Sequence, residues 1–141
     1  MNKKINKNLI AAIRSKVNLA FEELSSMGFI ARTNFLCCRT CATAELSDLA
    51  IRANQDRVVY WHGQDEDSFK ETGNLVIRYF YAPPDDTDDD TLEIEIQIGE
   101  QVATALRSAG LNVSWDGDPN KCIVVTGISG SLPTANAPKS N

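Results

Sequence analysis

The sequence Asn34-Phe35-Leu36-Cys37-Cys38-Arg39-Thr40-Cys41 holds three of the four cysteines in this chain of 141 residues. Residues 29–37, which lead into it, follow Gly28 and contain aromatic and β-branched side chains, so they predict a strand. Residues 40–52, which leave it, place apolar side chains on one side of a helix and charged side chains on the other. The cysteines are therefore expected where a strand meets a helix.

The segments on either side of this junction alternate between helical and extended patterns. Residues 5–27 carry apolar side chains at steps of three and four, which predicts a long amphipathic helix, and Gly28 provides its stop. Residues 57–62 and 75–81 predict strands because they are rich in β-branched and aromatic side chains. Between these strands, the polar residues 64–71 predict one or two helical turns.

Residues 92–109 fit two patterns. Residues 92–98 alternate apolar and polar side chains as a strand does, yet the whole span also forms one apolar face of a helix. We favour a single long helix and keep a strand over its first two turns as the alternative. Residues 111–115 and 121–126 predict a hairpin, since the Asp-Gly-Asp-Pro-Asn sequence of residues 116–120 is typical of a turn.

This order of elements predicts an α+β fold. We expect a two-layer sandwich in which the long N-terminal helix and two or three further helices pack on one face of a mixed sheet of about five strands. Residues 1–126 are expected to form a single domain, because this length is typical of one domain. Residues 127–141 are rich in Gly, Ser, Pro and Asn and predict a disordered tail. The order of the strands in the sheet stays open.

Composition and charge favour a globular cytoplasmic protein and argue against a membrane protein or a nucleic-acid-binding protein. A hydrophobic content of 43% and a charged content of 23% are those of an ordinary globular protein. No stretch approaches the roughly 18 consecutive apolar residues of a membrane helix, and the N-terminus shows no signal-peptide cleavage site, so we expect a cytoplasmic protein. Residues 1–60 carry nine basic and five acidic side chains (+4), and residues 61–141 carry five and fourteen (−9), which gives the net charge of −5. This acidic excess argues against nucleic-acid binding.

The cysteines are the first candidates for chemistry. In a cytosolic chain, four cysteines are expected as reduced thiols, metal ligands or a redox pair rather than as a disulfide framework. Cys38 and Cys41 have the C-x-x-C spacing, and the N-terminus of a helix would favour their thiolates. The same spacing supplies two ligands of a tetrahedral zinc site, which would need Cys37 or Cys122 together with His62. The third interpretation is that the thiols fill a tight corner between the strand and the helix.

His62, Gln64 and Asp65 form the second candidate cluster. An imidazole can act as a general base, and the two following polar residues could orient it. Asp65 could equally cap the next helical turn. With the thiol of Cys38 or Cys41, His62 and Asp65 would supply a nucleophile, a base and an orienting group, but spacing alone does not place them together.

Three short motifs carry a resemblance to a known family. They are Cys37-Cys38-x-x-Cys41, His62-x-Gln64-Asp65 and Gly110-Leu111-x-Val113-x-Trp115-Asp116-Gly117. Together they resemble a family of uncharacterised bacterial domains, over most of the chain. The resemblance implies a shared fold and a shared site but no reaction, because that family has no assigned activity. From the residues alone, the Trp-Asp-Gly sequence is expected to serve the hairpin.

Binding is the function that these features predict. We interpret the chain as a small cytosolic acidic interaction domain, comparable with inhibitor or immunity proteins, whose expected partner is a protein with a basic surface. The alternative is a thiol- or zinc-dependent protein built around the C-C-x-x-C motif and the single histidine. Enzymatic activity is the less favoured expectation. The binding hypothesis implies no cofactor, and the alternative hypothesis implies zinc. No membrane partner is expected, and the oligomeric state stays open.

Overall fold

Four α-helices and five β-strands build the described part of the chain, which comprises residues 7–36, 38–82, 91–119 and 121–126 of a computed structural model. The helices are α1 (Lys7–Ser26), α2 (Arg39–Arg52), α3 (Gly63–Thr72) and α4 (Thr91–Ser108). The strands are β1 (Phe29–Arg32), β2 (Arg57–Tyr60), β3 (Leu75–Tyr81), β4 (Asn112–Ser114) and β5 (Ile123–Thr126).

The strands form one mixed sheet in the order β1-β2-β3-β5-β4. β1 and β2 are parallel, and α2 makes the crossover connection that a parallel pair requires. β3 lies at the centre and pairs antiparallel with both β2 and β5, and the β4–β5 hairpin completes the sheet. The carboxyl ends of β1 and β2 therefore lie side by side at one edge of the sheet.

One face of the sheet carries the larger hydrophobic core. The alternation of β3 turns Leu75, Ile77 and Tyr79 toward this face, where α1 and α4 cover them and Phe69 of α3 adds a fully buried ring. The core residues of α1 recur at helical spacing: Ile10, Ile13, Val17, Ala20, Phe21 and Leu24. Burying each large aliphatic side chain contributes about 1.5–3 kcal/mol. Packing must therefore hold α1, which has no acidic residue in its first turn and no basic residue in its last.

The opposite face of the sheet is covered by α2 over β1 and β2. A second, smaller core forms there from Ile30, Ala42, Leu46, Ala50, Val58, Tyr60 and Ala82. β2 is buried on both faces, because Val58 and Tyr60 face α2 while Val59 joins the larger core. A strand that is covered on both sides needs a continuous apolar run, and residues 58–61 provide one.

The predicted α+β class and mixed sheet are confirmed. The long N-terminal helix shares one face with two further helices, α3 and α4, as predicted. α2 differs from the two-layer expectation, because the parallel β1–α2–β2 unit carries its helix across the other face. Over β1 and β2 the fold therefore has three layers.

The structure settles the ambiguous residues 92–98 and corrects the predicted end of β1. Residues 92–98 belong to helix α4, in which Ile98, Val102 and Leu106 follow helical spacing into the core. β1 ends at Arg32, well before residue 37, because Asn34 and Leu36 adopt positive φ angles of 47° and 60° that a strand cannot contain. The predicted tail of residues 127–141 and the aspartate-rich residues 85–90 lie outside the described residues. None of the described helices combines the length and apolarity needed to cross a membrane.

The Trp-Asp-Gly sequence serves the β4–β5 hairpin, as predicted. The ring of Trp115 packs edge-on against Tyr79, with 6.0 Å between ring centroids, and its indole N–H donates to the carbonyl of Asp118 at 3.2 Å. Gly117 provides the positive φ of 92° that the turn requires. On the other side of Trp115, Gly99 of α4 leaves room for the ring, since a Cβ there would lie 2.5 Å from it.

Candidate functional site

The loop before the cysteines is clamped to the end of β2. The N–H of Phe35 donates to the carbonyl of Trp61 at 2.8 Å, and the N–H of Gly63 donates to the carbonyl of Leu36 at 2.8 Å. Leu36 holds its φ of +60° in this contact, a conformation that costs a residue with a Cβ on the order of 1 kcal/mol or more. The structure thus places the start of α2 beside the segment that contains the single histidine.

His62 and Asp65 form a capping box at the start of α3. His62 is the N-cap residue, and its ring Nδ1 accepts from the N–H of Asp65 at 3.3 Å. The carboxylate of Asp65 accepts from the N–H of His62, also at 3.3 Å. Two orphan N–H groups of the helix are satisfied in this way. The hypothesis that Asp65 is the N-cap of this turn is therefore wrong, because His62 is the N-cap and Asp65, the third helical residue, completes the capping box.

Arg78 of β3 binds the same carboxylate from the sheet. Its Nε donates to Oδ2 of Asp65 at 2.8 Å and its Nη2 donates to Oδ1 at 3.1 Å, so the pair is bidentate. Both side chains are buried, with 7% and 6% of their surface exposed. The carboxylate that the sequence offered as an orienting group for the imidazole thus accepts from Arg78 and from a backbone N–H. We call these three residues the His62–Asp65–Arg78 cluster.

The ring of His62 is held in its neutral form. Burial lowers its pKa below the ordinary value of 6.5, the carboxylate of Asp65 opposes this effect, and the charge of Arg78 adds to it. Accepting from the N–H of Asp65 requires an unprotonated Nδ1, so the neutral ring carries its proton on Nε2. Protonation of Nδ1 would exchange this bond for an ion pair with the carboxylate of Asp65, whose Oδ2 lies 3.4 Å away.

A second buried carboxylate, Glu66, ties α3 to the larger core. Arg14 of α1 donates to both of its oxygens, at 2.9 and 2.7 Å, and the indole N–H of Trp61 donates to Oε1 at 3.0 Å. The hydrogen bonds from Arg14 lower the pKa of Glu66 below its ordinary value, although burial raises it. Each of the two buried carboxylates in the first turn of α3 therefore binds an arginine of another element and anchors the helix.

Cys38 and Cys41 lie at the start of α2, as predicted. Cys38 is the N-cap residue and half-buried, Cys41 lies in the first turn and is exposed, and Cys122 is buried at the start of β5. Within the described residues these thiols form no disulfide. The exposure of Cys41 does not agree with the interpretation that it fills a tight corner. Cys37 lies outside the described residues.

The described residues contain no group of three or more His, Cys, Asp or Glu side chains that could hold a metal ion. His62 uses Nδ1 in the capping box, and Gln64 is exposed. Since Cys37 is not among these residues, zinc binding by Cys37, Cys38, Cys41 and His62 stays a prediction.

A groove with polar walls lies between α2 and the strands β2 and β3. It encloses about 380 Å³, and we call it the α2 groove. Its walls include Arg39, Thr43, Ser47, Tyr60, Arg78 and Phe80. The hydroxyls of Thr43 and Tyr60 are 3.3 Å apart, within hydrogen-bonding distance. Burial raises the pKa of the Tyr60 hydroxyl, which therefore stays protonated at neutral pH.

A second groove, of about 370 Å³, runs between the exposed sides of α1 and α4. We call it the α1–α4 groove. Its lining is acidic and amide-rich, with Met27 and Ala105 as apolar members: Glu23, Met27, Gln97, Glu100, Gln101, Thr104 and Ala105. Met27 is 44% exposed, and Leu19, one turn before Glu23 on the same stripe of α1, is 61% exposed.

Sequence reasoning missed the basic partners of the two carboxylates. Arg78 lies 13 residues from Asp65, and Arg14 lies 52 residues from Glu66, so no local spacing connects them. One signal was present for Arg78. It stands inside the alternating strand of residues 75–81, in a row whose other members are apolar, and a buried arginine there needs a carboxylate partner.

Comparisons with known proteins identify the family of the chain and no relative of known function. No curated protein and no solved structure shows a significant match. The model of one family, described as a domain of unknown function (DUF6891), matches residues 14–129. That match covers both grooves and the His62–Asp65–Arg78 cluster, and it confirms the resemblance to an uncharacterised family. The chain belongs to the DUF6891 family of domains of unknown function.

Proposed function

We propose that the chain is a cytoplasmic, non-catalytic binding domain that holds a protein with a basic surface against the α1–α4 groove. In this proposal it acts as compact inhibitor or immunity proteins do, by covering a surface of its partner. The observation that carries the proposal is the groove itself, whose carboxylates and exposed apolar side chains lie on one face of the molecule.

The charges of the groove match a basic partner. Glu23 and Glu100 stand on opposite walls, whereas the exposed Glu22 lines a different groove beside β1. Glu22 and Glu23 stand near the C-terminal end of α1, where negative charge opposes the helix dipole by about 0.3–1 kcal/mol per charge. Carboxylates at this position do not help the fold, which supports a use in recognition. Complementary charge would steer a partner onto this face.

The apolar side chains of the same face supply contact area. Leu19 lies on α1 four residues before Glu23, and Met27 directly follows the last residue of α1, four residues after Glu23. Protein interfaces commonly surround an apolar centre with a polar rim, and methionine adapts to irregular surfaces.

The buried polar groups support binding rather than catalysis. Among the described residues, Asp65 is engaged by Arg78 and Glu66 by Arg14, and Nδ1 of His62 serves the N-cap of α3. These contacts hold α3 to β3 and to α1 and cap its N-terminus, so each of the three groups has a structural role. Because these groups are used inside the fold, we place the proposed function at the surface. The acidic α1–α4 groove is the surface proposed to bind the protein partner.

Site-specific photo-cross-linking tests the proposed face. A photoreactive amino acid replaces Gln97, which is exposed in the groove, and in a matched protein it replaces Glu45, which is exposed on α2 across the sheet. In cells that make the protein naturally, we expect a discrete adduct with a basic protein from position 97 and none from position 45. Equal adducts from both positions, or adducts from position 45 only, would contradict the proposal.

A further inference from the structure

We propose that the α2 groove is a binding site for a small molecule that carries one oxyanion, a carboxylate or a phosphate monoester, on an aromatic body. The site lies on the opposite face of the sheet from the α1–α4 groove. This proposal does not depend on the protein partner proposed above.

The groove has the size and composition of a small-molecule site. Its volume of about 380 Å³ is within the range of roughly 300–1,000 Å³ that such sites occupy. Phe80 and Tyr60 form an aromatic wall, with their rings packed edge-on at 6.1 Å between centroids. An exposed face of such a wall can stack an aromatic ring.

Polar side chains line the groove from helix α2 on one side and from strands β2 and β3 on the other. Arg39, Thr43 and Ser47 are spaced four residues apart, so they form one stripe of α2 along the groove. Tyr60 and Arg78 are direct partners in the β2–β3 register and face them from the sheet. One side of the groove thus offers hydroxyls and a guanidinium on a helix, and the other offers a phenol and a guanidinium on strands.

The charge of the groove favours an anion. Arg78 is bound to Asp65, and this pair is neutral as a unit, so the net positive charge comes from Arg39. Arg39 is the first residue of α2, whose first turn has no acidic side chain, so its charge adds to the positive end of the helix dipole. Burial raises the pKa of the Tyr60 hydroxyl most. The charges of Arg78 and Asp65 act on this pKa in opposite directions, and the charge of Arg39 lowers it, so Arg39 acts on a group that lines the groove.

The guanidinium of Arg78 is pre-positioned. It is buried, and its bidentate contact with Asp65 fixes the plane of the group. Asp65 is fixed in turn by the capping box with His62. A wall residue held in one geometry loses little entropy when a ligand binds, so Arg78 keeps this side of the groove rigid. The exposed guanidinium of Arg39 is the group proposed to contact the oxyanion, because planar guanidinium groups match carboxylates and phosphates.

Titration of the ¹⁵N-labelled protein with phenyl phosphate, benzoate and neutral benzyl alcohol tests the site. We expect phenyl phosphate or benzoate, up to about 20 mM, to shift the amide signals of Thr43, Ser47 and Phe80, and the stronger of the two to identify the oxyanion. The signals of Gln97 and Thr104 in the other groove should not move. Absence of shifts with both anions, or equal binding of benzyl alcohol, would overturn the proposal.

Exposed residues of α2 provide variants that keep the fold. Arg39→Gln should weaken binding of the anion by about tenfold or more, since it removes a charge-assisted contact. Arg52→Gln removes another exposed arginine at the other end of the same helix and should leave binding unchanged. Thr43→Val is a second variant, expected to weaken binding less than Arg39→Gln. Unchanged affinity in Arg39→Gln, in a protein with native spectral dispersion, would refute the site.

Discussion

At the scale of single residues, His62 fills a position that usually holds Ser, Thr, Asp or Asn. It caps α3 through Nδ1, and this use requires the neutral ring. The folded protein therefore resists protonation of a group that the unfolded chain protonates freely. The single histidine connects the stability of the fold to pH between neutrality and weak acid.

We expect His62→Asn to flatten the pH dependence of stability below neutrality. The folded pKa of His62 is lowered from its ordinary value of 6.5, so below that pH the unfolded chain binds more protons and stability falls, by at most about 1.4 kcal/mol per pH unit. Asparagine keeps a capping oxygen and does not titrate. Urea midpoints at about pH 7.5 and about pH 5.5 should differ less in the variant than in the native protein. An unchanged difference would assign the pH dependence to other groups.

The thiols should differ sharply in reactivity. Cys41 is exposed in the first turn of α2, and Cys122 is buried at the start of β5, so alkylation at neutral pH should modify Cys41 in the folded protein and Cys122 only after unfolding. Mass spectrometry of peptides after timed alkylation measures both rates, with Cys41→Ser as the control for assignment. Rapid modification of Cys122 in the folded protein would contradict its placement. Metal bound through the C-x-x-C motif would instead slow Cys41 until a chelator is added.

The hydrogen-bonded pairs around α3 show which contacts sequence spacing can predict. His62 and Asp65 are three residues apart, so their proximity was predictable, and the capping function was one of two open hypotheses. The pairs Asp65–Arg78 and Glu66–Arg14 join different elements, and only the fold brings them together. Candidate residues of a site could thus be found from the sequence, but their partners could not.

At the scale of elements, α3 is held to the sheet by the pair of Asp65 with Arg78. Removing the carboxylate leaves a buried guanidinium without its counter-charge, and we expect Asp65→Asn to destabilise the fold by about 3–5 kcal/mol. Asp48→Asn is the matched control. It breaks the exposed pair with Arg52, whose side chains are both 62% exposed, and should cost less than about 1 kcal/mol. Urea unfolding of the two variants compares them directly, and equal losses would refute the anchoring role.

Helix α4 and the β4–β5 hairpin meet at Gly99. Alanine raises intrinsic helix stability by about 1 kcal/mol relative to glycine, but its Cβ would lie 2.5 Å from the ring of Trp115. Because overpacking typically costs about 1–3 kcal/mol, we expect a net destabilisation by Gly99→Ala of up to about 2 kcal/mol. Thr104→Ala, at an exposed position of the same helix, should be neutral or slightly stabilising. A stabilised Gly99→Ala protein would show that the ring moves aside without cost.

The elements also show why some boundaries could be predicted and others not. The strand of residues 75–81 was predicted with its observed bounds, because its alternation is clear and a proline follows. β1 was predicted five residues too long. The sequence of residues 33–37 contains no signal that predicts the positive φ angles of Asn34 and Leu36. The position of α2 across the sheet depended on the parallel pairing of β1 with β2, which periodicity does not reveal.

At the scale of the whole molecule, the sheet separates two surfaces of opposite character. The face of α1 and α4 carries the acidic groove with exposed Leu19 and Met27, and the face of α2 carries the groove with Arg39 and Arg78. The net charge of −5 is therefore a poor guide to either face alone. The two proposed sites do not overlap, because the sheet lies between the two grooves.

The most direct test of the account is the affinity of the cross-linked partner for a charge-neutralised groove. Calorimetry would compare native protein, the double variant Glu23→Gln/Glu100→Gln and the control Glu45→Gln, at about 50 mM and about 300 mM salt. We predict that the double variant binds at least about tenfold more weakly at low salt and loses most of the salt dependence, while the control binds as the native protein does and neither variant is less stable than the native protein. Native affinity in the double variant would contradict the claim that the acidic α1–α4 groove is the binding surface.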